Sequence, residues 1–291
     1  MQVETSVETK QERLREQLAA MPSVIVAFSG GTDSAYLAWV AHETLRERVL
    51  AVTAVSASLP ESERRGVEEF VRRFGLSHEF ISTDELANPD YVANRFDRCY
   101  HCKDELFRKL GTLARSRRVA GVAYGVNLDD LGDFRPGQQA AREHRVLTPL
   151  LDAGLTKADI RELSRRAGLP TWDKPAAACL ASRIAHGVDV TVENLSQVER
   201  GEAALRQLGF RQVRVRFHGL PSGLSRAESR EAPKSSGAQE GELVRIEIAP
   251  DELPRALTPE MAAKMRDIFK ALGFKFVTLD LEGYRQGSFN P

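Results

Sequence analysis

The chain has 291 residues, and its 41 Lys and Arg balance 41 Asp and Glu, so the formal net charge is zero. A neutral chain has no overall positive field that would draw it to DNA or RNA, which argues against a nucleic-acid partner. No apolar run approaches the ~20 residues of a membrane span and the N-terminus is polar, so we expect a cytoplasmic protein with no membrane partner. Three cysteines, an odd number in such a setting, argue against a disulfide framework.

The first part of the chain predicts a helix, a buried strand, a turn and a second helix. Residues 9–20 have the spacing of a short amphipathic helix, and residues 24–28 form an apolar, β-branched run that suits a strand covered on both faces. The turn at 29–34 (SGGTDS) has two glycines for a tight bend, and a helix follows from Ala35. Because unpaired N–H groups at a helix N-terminus attract anions, this stretch predicts a phosphate-binding loop.

Other loop types fit this stretch less well. A Walker A loop needs a lysine that is absent here, and a dinucleotide-binding loop needs three spaced glycines where only two adjacent ones occur. An esterase nucleophile elbow is approximated by Ala27, Ser29 and Gly31, but that elbow follows several strands and here at most one precedes it. A surface turn with a capping serine is the remaining alternative.

Strands and helices alternate through the next part of the chain. A second buried strand is predicted at 49–55, a weaker third strand at 78–82 and a fourth at 119–126, with helices at 61–74 and 103–113 between them. Repeated β-α-β units predict an α/β fold whose parallel sheet carries helices on both faces. Ligands of such sheets bind beyond the carboxyl ends of the strands, where the loop at 29–34 lies and where Ser56 ends the second strand.

An acidic loop follows the fourth predicted strand. It contains Asn127, Asp129, Asp130, Asp133 and Arg135. Carboxylate oxygens at the end of a strand suit Mg²⁺, so Asp129 and Asp130 are candidate magnesium ligands, with a solvated turn as the alternative. A helix that begins with an approximate capping box at Thr156 and Asp159 comes next.

The composition changes after Gly187, which predicts a second domain. Helices at 191–208 and 258–272 each end in Leu-Gly-Phe and lead into strands at 213–217 and 276–281, and a further strand is predicted at 243–248. We therefore expect one domain at 1–187 and a smaller α+β domain at 188–291. The stretch 219–241, rich in Gly, Ser and Pro, is expected to be a mobile loop.

Cys99 and Cys102 form a C-x-x-C pair at the start of a predicted helix, and Cys179 lies far away in the sequence near Arg183. The C-x-x-C spacing allows two sulfurs to share one metal, and a third cysteine completes three ligands. Zinc would need a fourth ligand, whereas three thiolates on a [4Fe-4S] cluster leave one iron open for an exchangeable sulfide. The alternatives are a single reactive Cys179 and three cysteines packed as small apolar side chains.

Five motifs together resemble one family. They are A-F-S-G-G-x-D-S at 27–34, D-x-R-P-G at 133–137, W-D-K-P-x-x-x-C-x-x-S-R at 172–183, R-V-R-F-H at 214–218 and L-D-L-x-G-Y-R-x-G at 279–287. The first resembles the PP-loop of the ATP pyrophosphatase superfamily, and the set, spread over nearly the whole chain, looks like the LarE-type sulfur transferases. This resemblance implies that the nucleotide, its departing pyrophosphate and Mg²⁺ are bound by Ser29, Gly30, Gly31, Asp33, Ser34 and Ser56.

The resemblance also implies a reaction and its partners. Such enzymes use ATP to adenylylate pyridinium-3,5-biscarboxylic acid mononucleotide and convert it to the bisthiocarboxylic acid, in the making of the nickel-pincer cofactor of lactate racemase. Sulfur comes either from sacrifice of the cysteine matching Cys179 or from a [4Fe-4S] cluster on three cysteines, and Cys99 and Cys102 favour the cluster. We expect a homo-oligomer that works with nickel-insertion and sulfur-donor proteins.

Charged residues near the C-terminal strands are candidates for the mononucleotide. Arg214 and Arg216 alternate with apolar residues, so in a strand both guanidiniums point to one face about 7 Å apart, a spacing that suits an anion, with a solvated sheet face as the alternative. The resemblance implies that they bind the substrate phosphate with Glu202 near the site. Arg183 is expected to steer the acyl-adenylate or to lower the pKa of the Cys179 thiol.

Three rival functions remain. A PP-loop tRNA thiolase also uses cysteines, but the neutral net charge counts against it. An amide-forming ligase needs an ammonia-supplying domain that this length does not accommodate. A nucleotide-binding module with structural zinc needs no catalysis at all.

Overall fold

The computed structural model describes residues 6–132, 136–175, 178–219 and 242–285. The chain divides into two compact units, the first made of Met1–Tyr91 and Asp97–Ala178 and the second of Val92–Phe96 and Cys179–Pro291. This division falls earlier than the expected boundary after residue 187. Residues before the expected boundary contact the second unit: the backbone N–H of Ala185 donates to the carbonyl oxygen of Phe217 at 2.9 Å, and Arg183 forms an ion pair with Glu202. The Asn94 side-chain amide donates to the carbonyl oxygens of Ile184, Ala185 and Val188 and so attaches the Val92–Phe96 segment to the same stretch.

The first unit contains a four-stranded parallel sheet. Its strands are β1 (Val24–Ala27), β2 (Val49–Val55), β3 (His78–Ser82) and β4 (Val122–Tyr124), in the order β3-β2-β1-β4. All three neighbouring pairs are parallel, which confirms the predicted α/β class. β4 is shorter than the predicted strand at 119–126.

Helices surround this sheet. They are α1 (Val7–Ala19), α2 (Thr32–Leu45), α3 (Glu61–Phe74), α4 (Pro89–Val92), α5 (Arg98–Arg117), α6 (Pro136–Glu143), α7 (Pro149–Asp152) and α8 (Lys157–Arg166). Val24 and Val26 join one apolar core with α1, α2, α3 and α8, whereas Ile25 joins another with Phe107 and Leu110 of α5. Alternate residues of one strand therefore enter opposite cores, which confirms helices on both faces.

The second unit contains a three-stranded mixed sheet. Its elements are α9 (Val192–Gln207), β5 (Val213–Gly219), β6 (Glu242–Ile248), α10 (Leu253–Ala256), α11 (Pro259–Ala271) and β7 (Phe276–Leu279). β5 pairs antiparallel with β6, and β6 pairs parallel with β7. Gly209 and Gly273 follow the two longer helices with φ of +87° and +101°, and the next residue of each, Phe210 and Phe274, is buried. The repeated Leu-Gly-Phe thus ends each helix and returns the chain to the core.

Some sequence expectations fall on residues beyond these. Residues 220–241, most of the expected mobile loop, lie outside the described residues, as do Asp133 and Arg135. Among the helices that the structure does describe, none is both long enough and apolar enough to cross a membrane.

Candidate active site

The strand order of the first unit reverses at β1. β2 and β3 lie on one side of β1 and β4 lies on the other. In open parallel sheets, ligands bind beyond the carboxyl ends of the strands at such a reversal. β1 leads into the loop at 29–34 and β4 leads into residues 125–130, so the two segments that the sequence singles out border the expected binding position.

The loop at 29–34 is closed by its own side chains. The Ser34 hydroxyl accepts the backbone N–H of Ser29 at 3.2 Å and donates to the carbonyl oxygen of Gly31 at 3.1 Å. Gly31 is the N-cap residue of α2 and makes no side-chain cap, so the first turn of the helix keeps backbone N–H groups without intrahelical partners. The predicted loop, turn and helix N-terminus therefore form an anion-binding arrangement.

Two lysines for which no role was predicted contact this loop, and one of them, Lys174, belongs to the W-D-K-P motif. The Lys157 ammonium lies 2.5 Å from Oδ2 of Asp33, and the Lys174 ammonium donates to the carbonyl oxygen of Gly30 at 3.0 Å. A Walker A loop has its lysine within the loop, whereas here the positive charge arrives from residues more than a hundred positions later. The loop therefore has the cationic groups that a polyphosphate needs, although its own sequence has none.

The acidic loop after β4 is connected to the same place. Oδ2 of Asp129 accepts the backbone N–H of Lys157 at 2.8 Å, so Lys157 contacts both Asp33 and Asp129. Asp130 is buried, and its Oδ2 accepts the backbone N–H of Asn127 at 3.1 Å. Ser56 directly follows β2, and its hydroxyl oxygen lies 3.0 Å from that of Ser58.

Magnesium fits this arrangement by its chemistry. Mg²⁺ in nucleotide sites takes one or two carboxylates and completes its shell with phosphate oxygens and water. Asp33 and Asp129 supply two carboxylates that share one lysine neighbour. Across the described residues, no three His, Cys, Asp or Glu side chains gather as ligands of a metal ion.

The three cysteines belong to both units. Cys99 is exposed and Cys102 half-buried, and both lie in α5, which begins at Arg98 and not after Cys102 as predicted. Cys102 Sγ donates to Oε1 of the buried Glu85 at 3.9 Å. Cys179 is half-buried in the second unit and precedes a short 3-10 helix at Leu180–Arg183.

In the second unit, Arg183 joins Cys179 to Glu202. Its Nη1 donates to the carbonyl oxygen of Cys179 at 3.0 Å, and its Nε donates to Oε1 of Glu202 at 2.9 Å. The side chains of Arg183 and Glu202 are 4% and 3% exposed, so this ion pair is buried. Burial opposes ionisation of Glu202, but the charge of Arg183 and its hydrogen bond outweigh burial and lower the pKa of Glu202.

The two arginines of β5 have different surroundings. Arg216 is buried and makes two 3.0 Å hydrogen bonds to the carboxylate of Glu247, and it also donates to the carbonyl oxygen of Ser182. Arg214 is half-buried with its guanidinium 5.1 Å from the ring centre of Tyr284. Burial, together with the nearby charge of Arg183, lowers the pKa of Arg214. An anionic ligand beside Arg214 would relieve this accumulation of positive charge.

The parallel α/β sheet and the glycine-rich loop at a helix N-terminus are features of nucleotide-using PP-loop enzymes, and a family model described as asparagine synthase matches residues 9–113. The chain is 39% identical to an uncharacterized protein of Synechocystis sp., over 98% of each chain. It is 32% identical to the pyridinium-3,5-bisthiocarboxylic acid mononucleotide synthase of Lactiplantibacillus plantarum, over 97% of this chain and 94% of that one. An uncharacterized Methanocaldococcus jannaschii protein is 26% identical over 90% of each.

The near full-length match at this identity establishes the family. The chain belongs to the LarE-type sulfur transferases, which are ATP-using enzymes with a PP-loop.

Proposed function

We propose that this enzyme converts pyridinium-3,5-biscarboxylic acid mononucleotide to the bisthiocarboxylic acid in two rounds, each of which splits one ATP to AMP and pyrophosphate and replaces one carboxylate oxygen by sulfur. The observation that carries the proposal is the 32% identity, over 97% of this chain, to a synthase named for that product. The loop at 29–34 and the lysines on it supply what a pyrophosphate leaving group requires. We place the reaction in the cytoplasm.

Activation comes first. A carboxylate oxygen of the substrate attacks the α-phosphorus of ATP, the bond between the α-phosphorus and the bridging oxygen breaks, and pyrophosphate leaves. Negative charge that develops on pyrophosphate meets the N–H groups around Gly31 and the ammonium of Lys157. Asp33 and Asp129 would hold Mg²⁺, which supplies further charge neutralisation when bound. The product is an acyl-adenylate with AMP as its leaving group.

Sulfur transfer comes second. A sulfide nucleophile attacks the acyl carbon, AMP leaves with the former carboxylate oxygen, and one proton is released as the thiocarboxylic acid ionises. Arg183 and Arg214 would bind the anionic mononucleotide, with Glu202 holding Arg183 in place. Arg216 is also proposed as a substrate ligand, although its guanidinium forms an ion pair with Glu247 in this structure.

For the sulfur source we propose a [4Fe-4S] cluster on Cys99, Cys102 and Cys179. Its support is the C-x-x-C spacing, which puts Cys99 and Cys102 three residues apart on one face of α5. When bound, such a cluster would supply an open iron for an exchangeable sulfide. A homo-oligomer, a nickel-insertion partner and a sulfur-donor protein complete the proposal.

One experiment tests the reaction and its sulfur source together. Protein reconstituted anaerobically with iron and sulfide is incubated with MgATP and the biscarboxylate mononucleotide, and AMP and thiocarboxylate are counted per chain by mass spectrometry. We expect AMP to form with the substrate and product to exceed enzyme. If each chain transfers one sulfur and Cys179 becomes dehydroalanine, the sulfur source is the Cys179 side chain and not a cluster. If the protein contains zinc without iron and forms no AMP, it is a nucleotide-binding module. If sulfur is incorporated only into added tRNA, it is a tRNA thiolase.

A further inference from the structure

The Lys174 ammonium makes two polar contacts, one of them with the loop at 29–34, which we call the phosphate loop. The ammonium lies 2.7 Å from Oε2 of Glu63 and 3.0 Å from the carbonyl oxygen of Gly30. The side chains of Lys174 and Glu63 are 25% and 21% exposed. An ion pair that is mostly shielded from water is screened less by salt than an exposed one.

The turn that carries Lys174 is itself fixed to the start of α2. The carbonyl oxygen of Thr171 accepts the backbone N–H of Lys174 at 3.2 Å and the hydroxyl of Thr32 at 2.8 Å. Thr32 is the first residue of α2, so the turn and the loop share an attachment. Lys174 therefore reaches Gly30 from an anchored position.

Helix α3 holds the other side of Gly30. Gly30 has φ of +73°, and a Cβ built on it would lie 2.8 Å from Cγ2 of Val67. Val67 is buried and lies four residues after Glu63, on the same face of α3. One helix face therefore packs against Gly30 directly and also orients the lysine that binds the Gly30 carbonyl.

Fixing the Gly30 carbonyl also fixes the next N–H. The C=O of Gly30 and the N–H of Gly31 belong to one planar trans peptide group, in which they point in opposite directions. The Gly31 nitrogen lies 3.5 Å from the Ser29 hydroxyl oxygen, longer than the about 2.9 Å of an ordinary N–H···O bond. A ligand oxygen at ordinary distance would therefore compete successfully for this N–H.

We propose that Lys174 is a positioning residue for pyrophosphate: by holding the Gly30 carbonyl, and itself held by Glu63, it directs the Gly31 N–H at the departing group. The inference rests on the proposed function, since it assumes that the loop binds the pyrophosphate end of ATP. Lys174 acts through the peptide group and not by contact with the reacting atoms.

The test compares two nucleotides. Calorimetry measures the Kd of MgATP and of AMP for the full chain, without sulfur acceptor, in the wild type and in Lys174→Met, Lys174→Arg and Lys109→Met. Lys109 is the matched control because its ammonium also donates to a backbone carbonyl, that of Ser82, and also pairs with a glutamate, Glu105.

We expect Lys174→Met to weaken MgATP binding about tenfold, the effect of losing one aligned donor, and to leave AMP within about twofold, because AMP lacks the pyrophosphate. Lys174→Arg should recover most of the loss, and Lys109→Met should match the wild type. Equal weakening of both nucleotides, or of neither, would overturn the inference. If Lys174→Met does not fold, Lys174→Gln is used in its place, because a glutamine side chain is too short to reach both partners. The readout is again the ratio of the Kd values for MgATP and AMP.

The two proposals can fail separately. If the wild type binds MgATP but makes no thiocarboxylate, the proposed function is wrong. The ratio of the Kd values for MgATP and AMP still tests the role of Lys174 in that case. A wild type that binds no MgATP refutes both.

Discussion

Gly125 lies directly against the backbone of Ser34. A Cβ built on Gly125 would come within 2.7 Å of the Ser34 nitrogen and 2.9 Å of the carbonyl carbon of Asp33. These neighbours are backbone atoms at the first turn of α2, so they cannot move aside as a flexible side chain could. The absence of a side chain at 125 is therefore a condition for the geometry of the phosphate loop.

We predict that Gly125→Ala weakens MgATP binding by at least tenfold, because the added methyl group must displace the start of α2. Gly111→Ala is the control: it lies within α5, where a Cβ would have only an ordinary 3.6 Å contact with Arg115. That variant should bind MgATP normally and gain up to about 1 kcal/mol of stability, since alanine favours helix over glycine. Calorimetry and urea unfolding of both variants check this, and normal binding by Gly125→Ala would contradict it.

A second prediction concerns Lys157. Replacement by Met removes the cation that contacts Asp33, and we expect AMP formation to slow about a hundredfold, the usual cost of losing one preorganised electrostatic group. Lys10→Met is the comparison, because Lys10 forms a 2.7 Å ion pair with Asp159 in the first turn of α8, so the variant loses an ion pair but keeps the cation on Asp33. Equal rates in the two variants would show that Lys157 only stabilises the fold.

The regular elements of the first unit were largely predictable. β2, α3 and β3 have the predicted bounds. The apolar, β-branched run of β2 and the glycine that ends α3 are local signals. α5 was predicted too short: Cys99, Tyr100 and His101 favour helix weakly, and only the fold decides whether they join it. The predicted strand at 119–126 is longer than β4. Apolar residues continue beyond Gly121 and Gly125 on both sides of β4, so the apolar pattern alone does not show where the strand begins and ends.

The candidate site was predictable only where its residues follow one another. The loop at 29–34 has a local pattern, and the Thr156 capping box was visible three residues apart. Lys157 and Lys174 reach the loop only in the folded chain. No periodic pattern of the sequence predicts which lysine will contact a distant loop. Glu247, fully buried between Arg216 and Arg245, likewise looks like any exposed strand residue in sequence.

The two arginines on Glu202 give a third prediction, because they differ in burial. Arg183 is 4% exposed and Arg206 is 45% exposed. Arg183→Met should lower the free energy of unfolding by about 3 kcal/mol, since it leaves a buried carboxylate without its main partner. Arg206→Met should cost at most about 1 kcal/mol, as exposed pairs do. Urea unfolding measures both, and Arg183→Met combined with Glu202→Gln should recover part of the loss.

The same carboxylate predicts a dependence of stability on pH. Glu202 has an ordinary pKa of 4.5 in the unfolded chain and a lowered pKa in the folded one, where Arg183 outweighs burial. The unfolded state therefore binds the proton more tightly, so the contribution of Glu202 is complete above about pH 4.5 and is lost as the pH falls towards the folded pKa. Glu202→Gln removes this proton linkage. Unfolding free energies measured from pH 7 down to about pH 3 should fall less steeply for Glu202→Gln than for the wild type, and parallel curves would mean that Glu202 keeps an ordinary pKa.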